Sequence, residues 1–387
     1  MLVWTRSRAK VTLEEAAKAA DIEPTTLQAW EAGEEAPTLN KLRLLAAKYH
    51  FPLAVFYLAE PPEDFAPLRD FRRLPDVTDR DISANLAFHI RNAYERRELA
   101  LELYEDMREE ATVFPLRATL SDNPEDIAKV LRTLLGINDD EQKRAARQGR
   151  AFDFWRRRFE EKGILVFVVS GPHYAVDLRE MRGFAIARTR LPVVVVNGRD
   201  SSEGGRTFTL LHELVHILLG ESALSNGTGD FNSRTEERRI ERFCDTVAAA
   251  TLMPRELVLS FSEARAAGER TWTDEVLGNI SRTIGVSRQA LLIRLITLNR
   301  ATWNFYRQKA DQWEEERLVA IEHEDKKSVP IKRPVLLMSW NGRSYTRLVL
   351  RSYYDRRITL NDVSSYLGAK VKYIPDLERA AFQGAER

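Results

Sequence analysis

An apolar run from Leu210 to Leu219 is interrupted twice by histidine, and a glutamate follows the first: His212-Glu213-Leu214-Val215-His216. A run of this length with Gly220 behind it reads as a buried helix from about Arg206 to Leu219. Residues four apart share one helix face, so both imidazoles point the same way. Two neutral histidines so placed can chelate a divalent ion, usually zinc, and the glutamate beside the first can polarise a water on that ion. The chain has only six histidines, so chance rarely produces this arrangement.

A catalytic zinc site usually has three protein ligands and one open position. The segment Thr235 to Leu252, ended by Met253-Pro254, reads as a second long helix and offers Glu236, Glu237 and Glu241. Glu241 shares a face with Asp245 and Ala248, and that face turns small and apolar further along. A glutamate on an inward face needs a cationic partner, and a metal is one. Glu236 and Glu237 stand in a run of mixed charge that suits a solvated surface. Cys244 is read as a small core residue rather than a fourth ligand. His50, His89 and His323 carry no partner pattern.

The stretch Phe208 to Leu219 and the stretch Glu241-Arg242-Phe243-Cys244-Asp245-Thr246-Val247-Ala248-Ala249-Ala250-Thr251-Leu252-Met253-Pro254 resemble the ImmA/IrrE family of metallopeptidases. The resemblance implies that Glu241 is the third metal ligand beside His212 and His216, and that Glu213 is the catalytic base. The family usually has Ala-Asn where this chain has Cys244-Asp245. Asp245 could keep the asparagine's role by accepting a bond from a ligand imidazole, at the cost of added negative charge. Metal-assisted peptide hydrolysis follows, with Zn2+ as the expected cofactor and Mn2+ as an alternative. His173 and Tyr174, on a turn after the first strand, are candidate oxyanion stabilisers.

At the N-terminus, Thr12 opens a helix through Ala20, with Glu15 placed to complete a capping box. A turn at Asp21-Ile22-Glu23-Pro24 leads into a second helix, Thr25 to Trp30, and Pro37-Thr38-Leu39 opens a third that runs to Lys48. This pattern, with its Trp30-Glu31-Ala32-Gly33 stretch, resembles the Xre-type helix-turn-helix family. The resemblance places Thr25, Thr26 and Gln28 against base edges in the major groove, Gln28 suited to adenine. Charge argues the other way. Arg6, Arg8, Lys10, Lys18, Lys41, Arg43 and Lys48 are balanced by Glu14, Glu15, Asp21, Glu23, Glu31, Glu34 and Glu35, whereas neutralised phosphates drive most DNA affinity. Arg6, Arg8 and Lys10 could still form a basic arm. A module that docks a protein is the competing reading.

Over 387 residues, 44% hydrophobic and 30% charged with a net charge of +1, the chain is ordinary for a multidomain globular protein. A single cysteine excludes a disulfide framework and fits a reducing, cytoplasmic compartment. No apolar run approaches a membrane span. The expected fold is α+β, with four blocks. An all-α helix-turn-helix domain occupies 1–58, and a linker with a helical segment occupies 59–150. A zincin-like metallopeptidase domain with a small mixed sheet occupies 151–300. An accessory C-terminal domain occupies 301–387. Strands are expected at Ile164 to Val169, Phe184 to Ala187 and Pro192 to Val196. Val276 to Leu298 has another helix-turn-helix rhythm that suits packing. Asn341-Gly342 predicts a hairpin into a strand over Tyr345 to Leu350.

The expected function is a zinc-dependent endopeptidase that regulates transcription or a stress response by cutting a partner protein, such as a repressor with its own helix-turn-helix. The alternative is a DNA-binding regulator, or the antitoxin of a toxin–antitoxin pair, whose metal site is not used for proteolysis. Partners would then include operator DNA or a cognate toxin.

Overall fold

The computed structural model describes residues 1–61, 69–70, 82–171, 174–221, 223–225, 236–265, 272–310, 312–313 and 332–382. His173 and His323, and most of the charged stretch from Asp311 to Arg333, lie outside them.

Four helices open the chain: α1 (Leu2–Arg8), α2 (Leu13–Ala20), α3 (Pro24–Ala32) and α4 (Leu39–Tyr49). Thr12 and Thr38 cap α2 and α4 by accepting from Glu15 N and Lys41 N. The Glu15 carboxylate turns toward Lys48 Nζ, 3.8 Å away. Gly33 ends α3 in the left-handed region, φ 78°. Ala16, Ala17, Ala20, Leu27, Leu45 and Tyr49 fill a small core of their own. Arg6 and Arg8 differ from a free arm. They lie in the last turn of α1, and the Arg6 guanidinium holds Glu31 through both carboxylate oxygens at 2.6 and 2.8 Å.

Next come β1 (Arg69–Asp70), α5 (Ala84–Asp106), α6 (Pro124–Leu134), α7 (Asp139–Arg147) and α8 (Ala151–Glu160). The strands β2 (Leu165–Val169), β3 (Gly183–Ile186) and β4 (Val193–Asn197) precede α9 (Glu203–Leu219). After β5 (Ala223–Ser225) follow α10 (Glu236–Leu252), α11 (Arg255–Leu259), α12 (Ser262–Arg265), α13 (Asp274–Ile284) and α14 (Arg288–Thr297).

The strands form one mixed sheet in the order β1-β5-β3-β4-β2. β2 runs parallel to β4, and β3 is antiparallel to both β4 and β5. Valine dominates β2 and β4, and both are buried along their whole length, as strands covered on two faces must be. Alternate residues feed two cores. Val166, Val168, Ala185, Val194 and Val196 face α8, α9, α10, α13 and α14. Leu165, Phe167, Val169, Phe184, Ile186, Val193 and Val195 face α5 and the C-terminal residues.

α13 and α14 carry the second helix-turn-helix rhythm, and their Leu277, Ile280, Ile284, Leu291, Leu292 and Leu295 are buried in the first of these cores. Ser287 caps α14, accepting from Ala290 N at 3.0 Å.

The C-terminal hairpin is not formed. Helices α15 (Arg333–Asn341), α16 (Arg343–Tyr354), α17 (Leu360–Tyr366) and α18 (Ile374–Phe382) occupy that block. Tyr345, Leu348, Val349 and Ser352 are buried along one helical stripe of α16. The reason lies far away in sequence. The Glu160 carboxylate, at the end of α8, accepts from Arg343 N and Ser344 N and so satisfies the first turn of α16. Gly342 (φ 76°) breaks the path between α15 and α16 instead of turning a hairpin. Trp340 Nε1 donates to Ser170 Oγ, which fastens α15 at the end of β2.

Candidate metal centre

Ser202 caps α9 by accepting from Gly205 N at 3.1 Å. A Cβ on Gly204 would stand 3.0 Å from the Val286 backbone, so the helix start packs directly on the turn between α13 and α14. The apolar residues of α9 on both sides then fix it between sheet and helices. Leu210, Leu211, Leu214, Val215, Ile217 and Leu218 are all fully buried.

Within that setting His212, Glu213 and His216 are also buried, as is Glu241 on α10. The two Nε2 atoms of His212 and His216 stand 3.2 Å apart. Glu241 Oε2 lies 3.3 Å from His212 Nε2, and Oε1 lies 3.3 Å from His216 Nε2. The two nitrogens and the carboxylate, one oxygen turned to each ring, are donor types that a divalent ion such as zinc takes. One turn further along α10, Asp245 Oδ1 lies 2.8 Å from His212 Nδ1. That contact holds a proton on Nδ1 and leaves the Nε2 lone pair turned to the other donors.

The electrostatics follow the geometry. Burial alone would lower the His212 pKa, yet Glu241 and Asp245 outweigh it and raise it to about 10. Burial would raise Glu241, yet the two histidines hold it far below the usual carboxylate range. A buried cluster this rich in carboxylate demands positive charge, from protons or from a cation.

Cys244 also belongs to this place. Its sulfur and one ring nitrogen from each of His212 and His216 all lie within 4.8 Å of one another, and all three residues are buried. Sequence reasoning set Cys244 among core residues; its position three after Glu241 on α10 was the available signal. Glu236 and Glu237 are exposed.

Glu213 sits under the sheet. A Cβ on Gly183 of β3 would lie 3.0 Å from Glu213 Oε1 and 2.6 Å from Thr209 Cγ2. Only glycine lets the strand backbone approach this close. Tyr174 is elsewhere: it stacks on Phe88 with ring centroids 4.8 Å apart, and its ring is 4.8 Å from that of His50. Its carbonyl is 2.8 Å from His89 Nε2, and burial lowers His89 to about 4.

In the N-terminal helices, Thr25 and Gln28 are exposed on α3, Thr26 is half-buried, and Leu27 turns into the core. The module is seated on α5. Arg91 donates to Arg8 O at 2.9 Å and Tyr49 O at 3.2 Å, and its guanidinium lies 4.5 Å from the Phe51 ring centre.

Among the described residues no helix is long and apolar enough to cross a membrane. Comparison with curated proteins finds no match. Residues 6–56 match the model of a helix-turn-helix domain, and residues 159–296 match that of the IrrE N-terminal-like domain of the M78 peptidases. The chain therefore carries a region similar to helix-turn-helix domains and, after it, a region similar to the IrrE N-terminal-like peptidase domain.

Proposed function

We propose that this protein is a zinc-dependent endopeptidase that controls gene expression by cutting a partner protein, with a repressor carrying its own helix-turn-helix as the favoured substrate. The observation that carries the reading is the close approach of the Glu241 carboxylate, one oxygen to each, to the Nε2 atoms of His212 and His216. Two imidazoles and a carboxylate suit zinc, and manganese could occupy the same donors. The ion, when bound, supplies a Lewis acid for the scissile carbonyl and lowers the pKa of water toward about 7.

The chain's own residues do the rest. Asp245 fixes the ring of His212 through Nδ1, so the imidazole does not rotate away from its task. Glu213, wholly buried beneath Gly183, takes the proton of the attacking water and passes it to the leaving amine. Burial of His212, Glu213, His216 and Glu241 strengthens the contacts among them by excluding bulk water. The helix-turn-helix module, with Thr25 and Gln28 exposed, brings the peptidase to operator DNA or to its substrate.

The test compares cells that make the wild-type chain with cells that make Glu213→Gln, using mass spectrometry of newly created protein N-termini. One new terminus, present with wild type and absent with Glu213→Gln, is expected. Identical termini in both would overturn the peptidase reading. A phenotype that survives Glu213→Gln, with a salt-dependent shift of promoter DNA, would favour the regulator or antitoxin reading.

A further inference from the structure

We propose that Cys244 is a fourth protein donor to the metal, making the resting centre a closed set of two nitrogens, one oxygen and one sulfur. This rests on the metal-centre reading above and adds to it. The thiol is completely buried, yet it lies within 4.8 Å of a nitrogen of each histidine. Glu241 and Cys244 stand three apart on α10, so both project from neighbouring turns toward α9. A sulfur about 2.3 Å from an ion whose nitrogens are about 2.05 Å away stands about 3.6 Å from each nitrogen. The three atoms already lie within 4.8 Å of one another, so binding has only to draw them closer. On binding, the sulfur–metal bond forms as the S–H bond breaks, and the proton passes to bulk solvent.

The consequence is a centre that answers to oxidants. Four protein donors leave no open position, so peptide enters only when one donor yields. Sulfur is the donor that chemistry can remove. Hydrogen peroxide transfers one oxygen to the thiolate, giving Cys–SOH and hydroxide, and the sulfur–metal bond is lost.

Cobalt(II) tests the ligand set. The full-length chain is stripped of metal and titrated with cobalt(II), as wild type, Cys244→Ala and Cys244→Ser. Wild type is expected to show visible ligand-field bands together with a near-ultraviolet sulfur-to-cobalt charge-transfer band. Both variants should keep the visible bands, lose the charge-transfer band, and bind cobalt roughly tenfold or more weakly. Visible bands in wild type without the charge-transfer band would overturn the sulfur donor and leave the three-ligand centre standing. No cobalt bands at all would overturn the metal centre itself, and this proposal with it. Using two variants covers the case in which one fails to fold. Peroxide should then convert Cys244 of the zinc-loaded wild type to a sulfenic acid, trapped as a dimedone adduct in mass spectrometry, and weaken its zinc binding, while Cys244→Ala keeps its zinc affinity. Equal responses in both would overturn the oxidant sensitivity.

Discussion

At the scale of single residues, three substitutions separate the tasks assigned to the centre. Glu213→Gln keeps the shape of the side chain and removes its basicity. Metal content should stay at wild-type level by elemental analysis, while cleavage of the partner falls by about 10²–10⁴-fold. Asp245→Ala removes the contact to His212 Nδ1, and zinc affinity measured by competition with a chelating dye should drop about 10–100-fold. Glu241→Ala removes the carboxylate that faces both imidazoles and should abolish stoichiometric zinc. The acid–base behaviour gives a further expectation. In the metal-free protein His212 is raised from its ordinary 6.5 to about 10. Its protonated form therefore contributes stability in full below about pH 6.5, and that contribution is lost as pH rises toward 10. Glu241 is held down, so its contribution is present above its ordinary range and lost on acidification. A metal must displace the His212 proton. Zinc affinity should rise by about tenfold per pH unit between pH 6.5 and 9, and the gap in melting temperature between loaded and metal-free protein should widen over that range. A pH-independent gap would contradict the role of His212.

At the scale of elements, what was legible was what local pattern alone decides. Valine runs gave β2 and β4, and the apolar frame of His212 and His216 gave α9, because fully covered strands and a buried helix carry their burial in their own composition. Thr12 and Thr38 announced the starts of their helices, because a cap is made within a single turn. α16 was not legible, since its first turn is satisfied by Glu160, which lies 183 residues earlier than Arg343. The nearness of Cys244 to both imidazoles showed in the sequence only as its spacing from Glu241, because the distance itself depends on how α10 leans on α9. The contact of Gly183 with Glu213 belongs to this scale. Gly183→Ala drives a methyl against Thr209 and the Glu213 carboxylate, so β3 and α9 must part. Thermal denaturation should show a loss of about 1–3 kcal/mol, with cleavage reduced beyond what the remaining folded fraction explains.

At the scale of the whole molecule, α5 ties the helix-turn-helix module to the body that holds the His212 cluster. It carries Arg91, which binds the carbonyls of Arg8 and Tyr49, and its Leu86, Ala93, Tyr94 and Leu103 lie in the core shared with the sheet and the C-terminal helices. Arg91→Ala removes two charged hydrogen bonds at this joint. Docking should weaken by about 1.5–3 kcal/mol, seen as faster proteolytic cutting after Leu58 with the peptidase core left intact. This joint was invisible in the sequence, where Arg91 looks like one more charge on a long helix.

The pairing of β1 with β5 bears on how the molecule can be divided. Arg69 and Asp70 align with Ala223 and Leu224, so the stretch that links the first module to α5 also seals one rim of the sheet. A fragment trimmed to start at α5 would leave β5 with a bare row of amides and carbonyls, a template for sticking to its own copies. Researchers cutting out the catalytic half should therefore begin upstream of Arg69, and a shorter piece should give higher-order species on size-exclusion chromatography where the longer one runs as a single peak.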